Sequence, residues 1–343
     1  MVESHKKDEI YQELPISVAP MMDWTDRHCR YFLRLISPRV RLYTEMVTSA
    51  AVLHGDRDRL LGYHPGEHPL ALQLGGSEPE ALAACAIEAQ ERGYDEVNLN
   101  VGCPSDRVQS GRFGACLMLE PGRVADCVAA MRSAVSIPVT VKCRIGVDER
   151  DSDADLDAFI ERLLEIGLEQ VIVHARKAWL QGLSPKQNRE VPPLEYDRVY
   201  RIKQRYPRLN VTINGGITEL ADIDNHLTQV DGVMIGREAY HNPWLLAELE
   251  SYFDGTPVLR SRHAVVEAMF PYIEEALSQG LRLQQISRHM LGLFQAQPGA
   301  RAWRRHISEQ AHLPAAGIEV LEQALKCVPQ LDAEQARVVT VSS

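Results

Sequence analysis

From about residue 16 to residue 250, short runs rich in Val, Ile and Leu alternate with amphipathic stretches, the pattern of repeated β-α units. The apolar runs predict strands at Ile16–Met21, Leu42–Met46, Leu70–Leu74, Glu96–Val101, Val139–Ile145, Gln170–His174, Asn210–Asn214 and Gly232–Gly236. Helical patterns fall between them, at Glu78–Arg92, Gly122–Ala134, Asp155–Ile166 and Leu194–Tyr206. Eight strands over a span of this length match a (β/α)8 TIM barrel. The alternative, a doubly wound open sheet, usually carries a GxGxxG turn after its first strand. Here that turn is Pro20-Met21-Met22-Asp23-Trp24.

Beyond Gly255-Thr256-Pro257 the strand signal stops, and Arg262–Gln279, Leu283–Gln295, Pro298–Ala311 and Gly317–Cys327 read as helices. The expected organisation is an N-terminal arm (1–14), an α/β barrel (15–255), a small all-α helical domain (256–330) and a C-terminal tail (331–343). Two connections are long for a barrel, Gly102–Pro121 after the fourth strand and Arg176–Pro193 after the sixth. Both leave the C-terminal ends of strands, the face on which barrels carry their chemistry.

Composition narrows the setting. No apolar run approaches the ~20 residues of a membrane span, and the first residues lack a signal-peptide pattern, so a cytoplasmic protein is expected. The seven cysteines form no CxxC pair and no Cys/His cluster with zinc spacing; free thiols and no metal are expected. A net charge of −10 speaks against a polyanionic partner, but the distribution is uneven. From Arg260 to Gln310, seven arginines face four glutamates, a local balance of +3, which leaves nucleic acid open.

The strand ends carry the candidate chemistry. Asn214-Gly215-Gly216 and Gly236-Arg237 close the last two strands, where barrels commonly build a phosphate site from backbone N–H groups. Arg237 can add a charge-assisted pair. Gln73, Lys142 and His174 each end an otherwise apolar strand and point toward one mouth, where polar groups are costly unless a ligand satisfies them. A flavin fits: Gln73 can pair with the ring edge, and Lys142 can stabilise negative charge on the reduced ring. In Asn98-Leu99-Asn100-Val101-Gly102-Cys103-Pro104 a strand ends in a glycine turn that presents Cys103, and Pro104 stiffens the turn. Cys103 could be nucleophile, redox partner or acid. It has no resolving cysteine and no readable triad, and a thiol of pKa near 8.5 is mostly protonated at neutral pH, which suits a proton donor.

These segments, together with Val18-Ala19-Pro20-Met21, Tyr43-Thr44-Glu45-Met46, Val141-Lys142-Cys143-Arg144, Val173-His174-Ala175-Arg176 and Gly236-Arg237-Glu238-Ala239, resemble the tRNA-dihydrouridine synthases. The likeness runs from about Ile16 to Arg305 in order and spacing. Asp23-Trp24-Thr25-Asp26-Arg27-His28, Asn98-Leu99-Asn100 and Leu183-Ser184-Pro185-Lys186-Gln187-Asn188-Arg189 are similar to the bacterial A-type subgroup, which reduces D-loop uridines at tRNA positions 20 and 20a. One departure is Cys143, where threonine is expected. The resemblance implies FMN reduced by NADPH (or NADH), with Pro20, Met21, Met22, Gln73, Lys142, His174, Asn214, Gly215, Gly216, Gly236 and Arg237 holding FMN. It also implies Cys103 as general acid; Asn100, close before the acid's turn on the same strand, is a candidate to hold the base edge.

The target base must be extruded from the folded tRNA, so contacts to phosphate are needed. Lys186 and Arg189 on the long sixth loop are candidates near the base. In the last helical pattern Arg301, Arg304, Arg305 and Ser308 recur at i, i+3, i+4 and i+7 and share one face, while Ala300, Trp303, Ile307 and Ala311 form an apolar stripe. The resemblance places tRNA contacts on this segment. No protein partner is called for, and a monomer is expected. Two alternatives stand beside this reading. One is a dihydroorotate dehydrogenase, an FMN barrel acting on a free pyrimidine. The other is a non-catalytic tRNA-binding barrel.

Overall fold

The computed structural model describes residues 13–253 and 261–330, apart from the side chains of Asp106 and Arg107. The arms expected at 1–14 and 331–343, the boundary expected near residue 255, and Arg260 lie wholly or largely outside the described residues. Two compact units are formed. Of the described residues, one contains those up to Arg30 together with Pro38–Arg237, the other Tyr31–Ser37 together with those from Glu238 onward.

The first unit is built on parallel strands β1 (Ile16–Val18), β2 (Arg41–Tyr43), β3 (Val47–Thr48), β4 (Leu70–Gly75), β5 (Glu96–Val101), β6 (Val139–Arg144), β7 (Gln170–His174), β8 (Asn210–Asn214) and β9 (Gly232–Ile235). β1 pairs with both β2 and β9, and β2 pairs with β4, so eight strands close into a barrel. The two-residue β3 only extends the edge of β4, at Val47↔Leu74. The strand expected at Leu42–Met46 is therefore interrupted, since Thr44–Met46 leave the ladder between β2 and β3. Alternate residues fill the interior, where Ala19, Tyr43, Ala71, Ile172 and Met234 pack together with Met21 against them. Outward residues such as Val97, Leu99 and Val101 are also fully buried, because helices cover the outer face of a parallel barrel.

Local signals place those helices. Proline opens Pro79–Glu91 and Pro121–Ala134 at a position where its missing N–H is not needed. Ser152 and Asp155 form a capping box at the start of Asp153–Glu165. Both long connections contain short helical turns: Asp106–Ser110 and Gly114–Leu119 after β5, and Gln187–Arg189 after β7.

The described elements of the second unit are helices, among them Leu245–Tyr252, Arg262–Ala268, Phe270–Ser278, Leu283–Ser287, Ala300–Gln310 and Glu319–Leu325. The single helix expected at Arg262–Gln279 is two, meeting at Met269, because Pro271 cannot donate a backbone hydrogen bond. Leu283–Gln295 is also shorter than expected and tightens to a 3-10 turn at Arg288–Met290. In Ala300–Gln310 the apolar stripe is buried, with Trp303 fully enclosed and its indole donating to the Met290 carbonyl at 3.3 Å. Arg301 and Arg305 are exposed, and Arg304 is half-buried with Nη1 donating to Gln295 Oε1.

Candidate active site

β5 alternates Glu96, Asn98 and Asn100 toward the barrel interior, and its last inward residue organises the turn that follows. Asn100 Oδ1 accepts the backbone N–H groups of Gly102 at 3.1 Å and of Cys103 at 3.0 Å. The Cys103 carbonyl accepts from Ala115 N at 2.9 Å, and its Sγ lies 3.6 Å from Ser105 Oγ. Gly114 makes this packing feasible: its φ is +73°, and a Cβ there would meet the Cys103 carbonyl oxygen at 2.5 Å. Cys103 is half-exposed, unlike the buried Cys29, Cys85, Cys127 and Cys143.

Strand register sets the neighbours. Asn100 pairs with Lys142, Arg144 with His174, and His174 with Asn214. Lys142 Nζ donates to Asn214 Oδ1 at 3.0 Å, and Asn214 Nδ2 donates to the Met234 carbonyl at 2.8 Å, which fixes the amide's orientation. No carboxylate pairs with Lys142 among the described residues. Burial, reinforced by the Arg144 charge, pushes its ammonium down to about 8. Burial also holds His174 well below its ordinary value, with Arg144, Lys142, Arg176 and Arg189 acting in the same direction, so the ring is neutral at pH 7. Gln73 is buried, donating from Nε2 to Asn98 Oδ1 and accepting from Asn100 Nδ2.

Glycines shape the wall beside this group. Gly215 has φ +119°, and a Cβ would meet His174 Cδ2 at 2.6 Å; Gly216 has φ +72°, and a Cβ would meet Leu194 Cδ1 at 2.4 Å. At Gly236 the nearest atom to an added Cβ is Asn214 Nδ2 at 4.0 Å, so its face is open. Arg237 is in an ion pair with Glu190, at 2.7 Å. At the end of β1, Met21 N donates to Thr25 Oγ1 at 2.9 Å, tying down the Pro20–Met22 turn, while the Met22 side chain is 55% exposed.

Lys186 and Arg189 are exposed on the loop after β7. The buried Asn188 between them anchors that loop, accepting from Trp179 N and donating to the carbonyls of Trp179 and Leu183. Arg301, Arg304 and Arg305 belong to the second unit. The Arg107 side chain lies outside the described residues. No group of three His, Cys, Asp or Glu side chains among the described residues could hold a metal ion. A cavity of about 360 Å3 lined by His263, Glu267, Phe270, Leu325 and Lys326 belongs to the second unit and contains none of the strand-end residues.

Two residues of this site were not singled out from the sequence. Arg144 is buried, and its guanidinium donates to the carbonyls of Gly102, Lys177 and Asn188 at 2.9–3.0 Å, joining the Cys103 turn to the loop after β7. Its place two residues after Lys142 on a strand was the available signal. Arg176 donates to the Pro192 carbonyl, while its buried Nε has no partner.

Residues 17–328 match the sequence profile of the family described as Dihydrouridine synthase (Dus). The chain belongs to the dihydrouridine synthase family. It is therefore an enzyme, and the dihydroorotate dehydrogenase and non-catalytic alternatives are set aside. Among its relatives, a tRNA-dihydrouridine(20/20a) synthase of Shewanella oneidensis is 60% identical over 96% of this chain and 98% of its own length. Proteins of the same name from Vibrio cholerae and Escherichia coli K12 are 62% and 59% identical, over 92% and 94% of this chain and 96% and 94% of their own lengths. This family member has no helix, among its described residues, long and apolar enough to cross a membrane.

Proposed function

We propose that the chain reduces the C5=C6 bond of uridine at D-loop positions 20 and 20a of tRNA, giving 5,6-dihydrouridine, with FMN as cofactor and NADPH, or NADH, as reductant. The observation that carries the reading is the meeting, at the ends of β5, β6, β7 and β8, of the Cys103 turn with Lys142, Arg144, Arg176 and a neutral His174. None of the three cations is ion-paired to a carboxylate among the described residues. A buried cation without a counter-ion fits an anionic ligand. The open face of Gly236 leaves room for a phosphate. These features fit FMN, with Pro20, Met21, Met22, Gln73, Lys142, His174, Asn214, Gly215, Gly216, Gly236 and Arg237 around it. Arg237 would then exchange Glu190 for the phosphate.

When bound and reduced by NADPH, FMN would supply a hydride to uracil C6. Negative charge builds toward C5 and O4, and the Cys103 thiol protonates C5. Asn100, which already holds the Cys103 turn, is placed to take the base edge. Lys186 and Arg189 receive the extruded nucleotide and its strand. Residues 256–330 act as an all-α RNA-binding domain in which Arg301, Arg304 and Arg305 contact phosphates. The enzyme works as a monomer in the cytoplasm. The test is to denature the purified protein and identify its released ligand, then incubate the native protein and NADPH with unmodified tRNA and map dihydrouridine. FMN, and product at 20 and 20a, are expected. FAD, no flavin, or product elsewhere in the tRNA would overturn the proposal.

A further inference from the structure

A chain of side-chain hydrogen bonds runs through the barrel interior and ends on the Cys103 turn. At its far end, Glu96 is fully buried at the start of β5. Its Oε1 accepts from the hydroxyls of Tyr43, at 2.7 Å, and Thr140, and its Oε2 accepts from Arg41 Nη1 at 3.2 Å. Thr140 Oγ1 accepts from Asn98 Nδ2 at 2.8 Å, Asn98 Oδ1 from Gln73 Nε2 at 2.8 Å, and Gln73 Oε1 from Asn100 Nδ2 at 2.9 Å. Asn100 Oδ1 is thereby left to accept the N–H groups of Gly102 and Cys103.

Each amide in such a chain could face either way, and only the ends decide. The two backbone N–H groups can only donate. At the other end, three donors converge on one carboxyl, the arrangement that suits an ionised, acceptor-only group. Burial pushes the Glu96 carboxyl up, but it also holds the Tyr43 phenol well above its usual range, so that hydroxyl stays a donor. The carboxylate accepts the single Thr140 O–H, and every later bond then has one possible direction.

We propose that Glu96 is a positioning residue for the reaction: acting through Thr140, Asn98, Gln73 and Asn100, it fixes the amide polarity that holds the Cys103 turn in its working geometry. The inference rests on the function proposed above for its effect on rate, but not for its effect on the turn. If the direction is lost, Asn100 presents Nδ2 to two N–H groups, and the turn loses its acceptor. A misplaced acid slows the chemical step and leaves tRNA binding alone.

The test compares Thr140→Val, which keeps shape and removes the hydroxyl, with Thr140→Ser, which keeps the hydroxyl, alongside Glu96→Gln. Two experiments are read: amide hydrogen exchange at Gly102 and Cys103, without substrate, and steady-state kinetics giving kcat and KM for tRNA. Thr140→Val and Glu96→Gln are expected to raise exchange at those two amides about tenfold. They should lower kcat on the order of ten- to a hundredfold with KM within about twofold. Thr140→Ser should behave as wild type in both. Unchanged exchange in Thr140→Val, or equal damage in Thr140→Ser, would overturn the proposal. Should Glu96→Gln fail to fold, the threonine pair decides. If exchange responds as expected but the wild-type protein does not reduce tRNA, the relay stands and the proposed function fails.

Discussion

Replacing Gly215 by alanine, with Gly182→Ala as its partner, isolates the contact between the end of β8 and His174. Both glycines have positive φ, +119° and +81°, so both variants carry a backbone penalty. For an L residue in such regions that penalty is about 1–3 kcal/mol. The surroundings differ. At Gly182 an added Cβ meets nothing within 4 Å, whereas at Gly215 it lies 2.6 Å from His174 Cδ2 and 3.0 Å from Nε2. The ring must retreat by most of an ångström to restore ordinary contact. Gly215 cannot easily retreat instead, because its carbonyl accepts from the Tyr196 hydroxyl at 2.8 Å. Overpacking of this kind adds roughly 1–3 kcal/mol. Urea unfolding should therefore show Gly215→Ala less stable than Gly182→Ala by about that difference. Fluorescence titration of the apoprotein with FMN should show at least a tenfold loss of affinity, about 1.4 kcal/mol, in Gly215→Ala only. Equal stability losses would refute the steric argument. A destabilised Gly215→Ala that binds FMN like wild type would refute the placing of His174 against the flavin.

Two further outcomes follow from the charges. Replacing Arg301, Arg304 and Arg305 together by glutamine should weaken tRNA binding and flatten its salt dependence, by roughly 0.7–0.9 in log–log slope for each phosphate no longer neutralised; an unchanged slope would move the RNA surface elsewhere. Burial sets the Lys142 ammonium at about 8, so FMN binding to the apoprotein should weaken as pH rises from 7 to 9 and the proton leaves. Lys142→Arg should flatten that profile, and a wild-type profile already flat would remove Lys142 from the flavin's charge balance.

Much of the barrel was legible in the sequence because parallel strands covered on both faces read as continuous apolar runs. The expected bounds of β5, β7 and β8 coincide with those observed. Helix Arg27–Ile36 was not anticipated. Its three arginines suggest a solvated face, yet Arg30 is buried in an ion pair with Glu67, 37 residues away. In the site, Gln73, Lys142 and His174 stood out as polar residues ending apolar strands. Arg144 did not, since its acceptors are carbonyls on the loops after β5 and β7, and neither did the Arg237–Glu190 pair, because both depend on neighbours distant in sequence. The arginine spacing on Ala300–Gln310 was readable because helical periodicity is local: the buried stripe is the one expected.

In the proposed reaction Cys103 gives the proton to the uracil ring. The most direct test of that role follows Cys103→Ala in two assays on one preparation, NADPH oxidation without tRNA and dihydrouridine formation with it. A thiol that acts only on the nucleobase leaves the first at the wild-type rate and lowers the second by on the order of 10²–10⁴-fold. Dihydrouridine formation at the wild-type rate would exclude Cys103 as the proton donor.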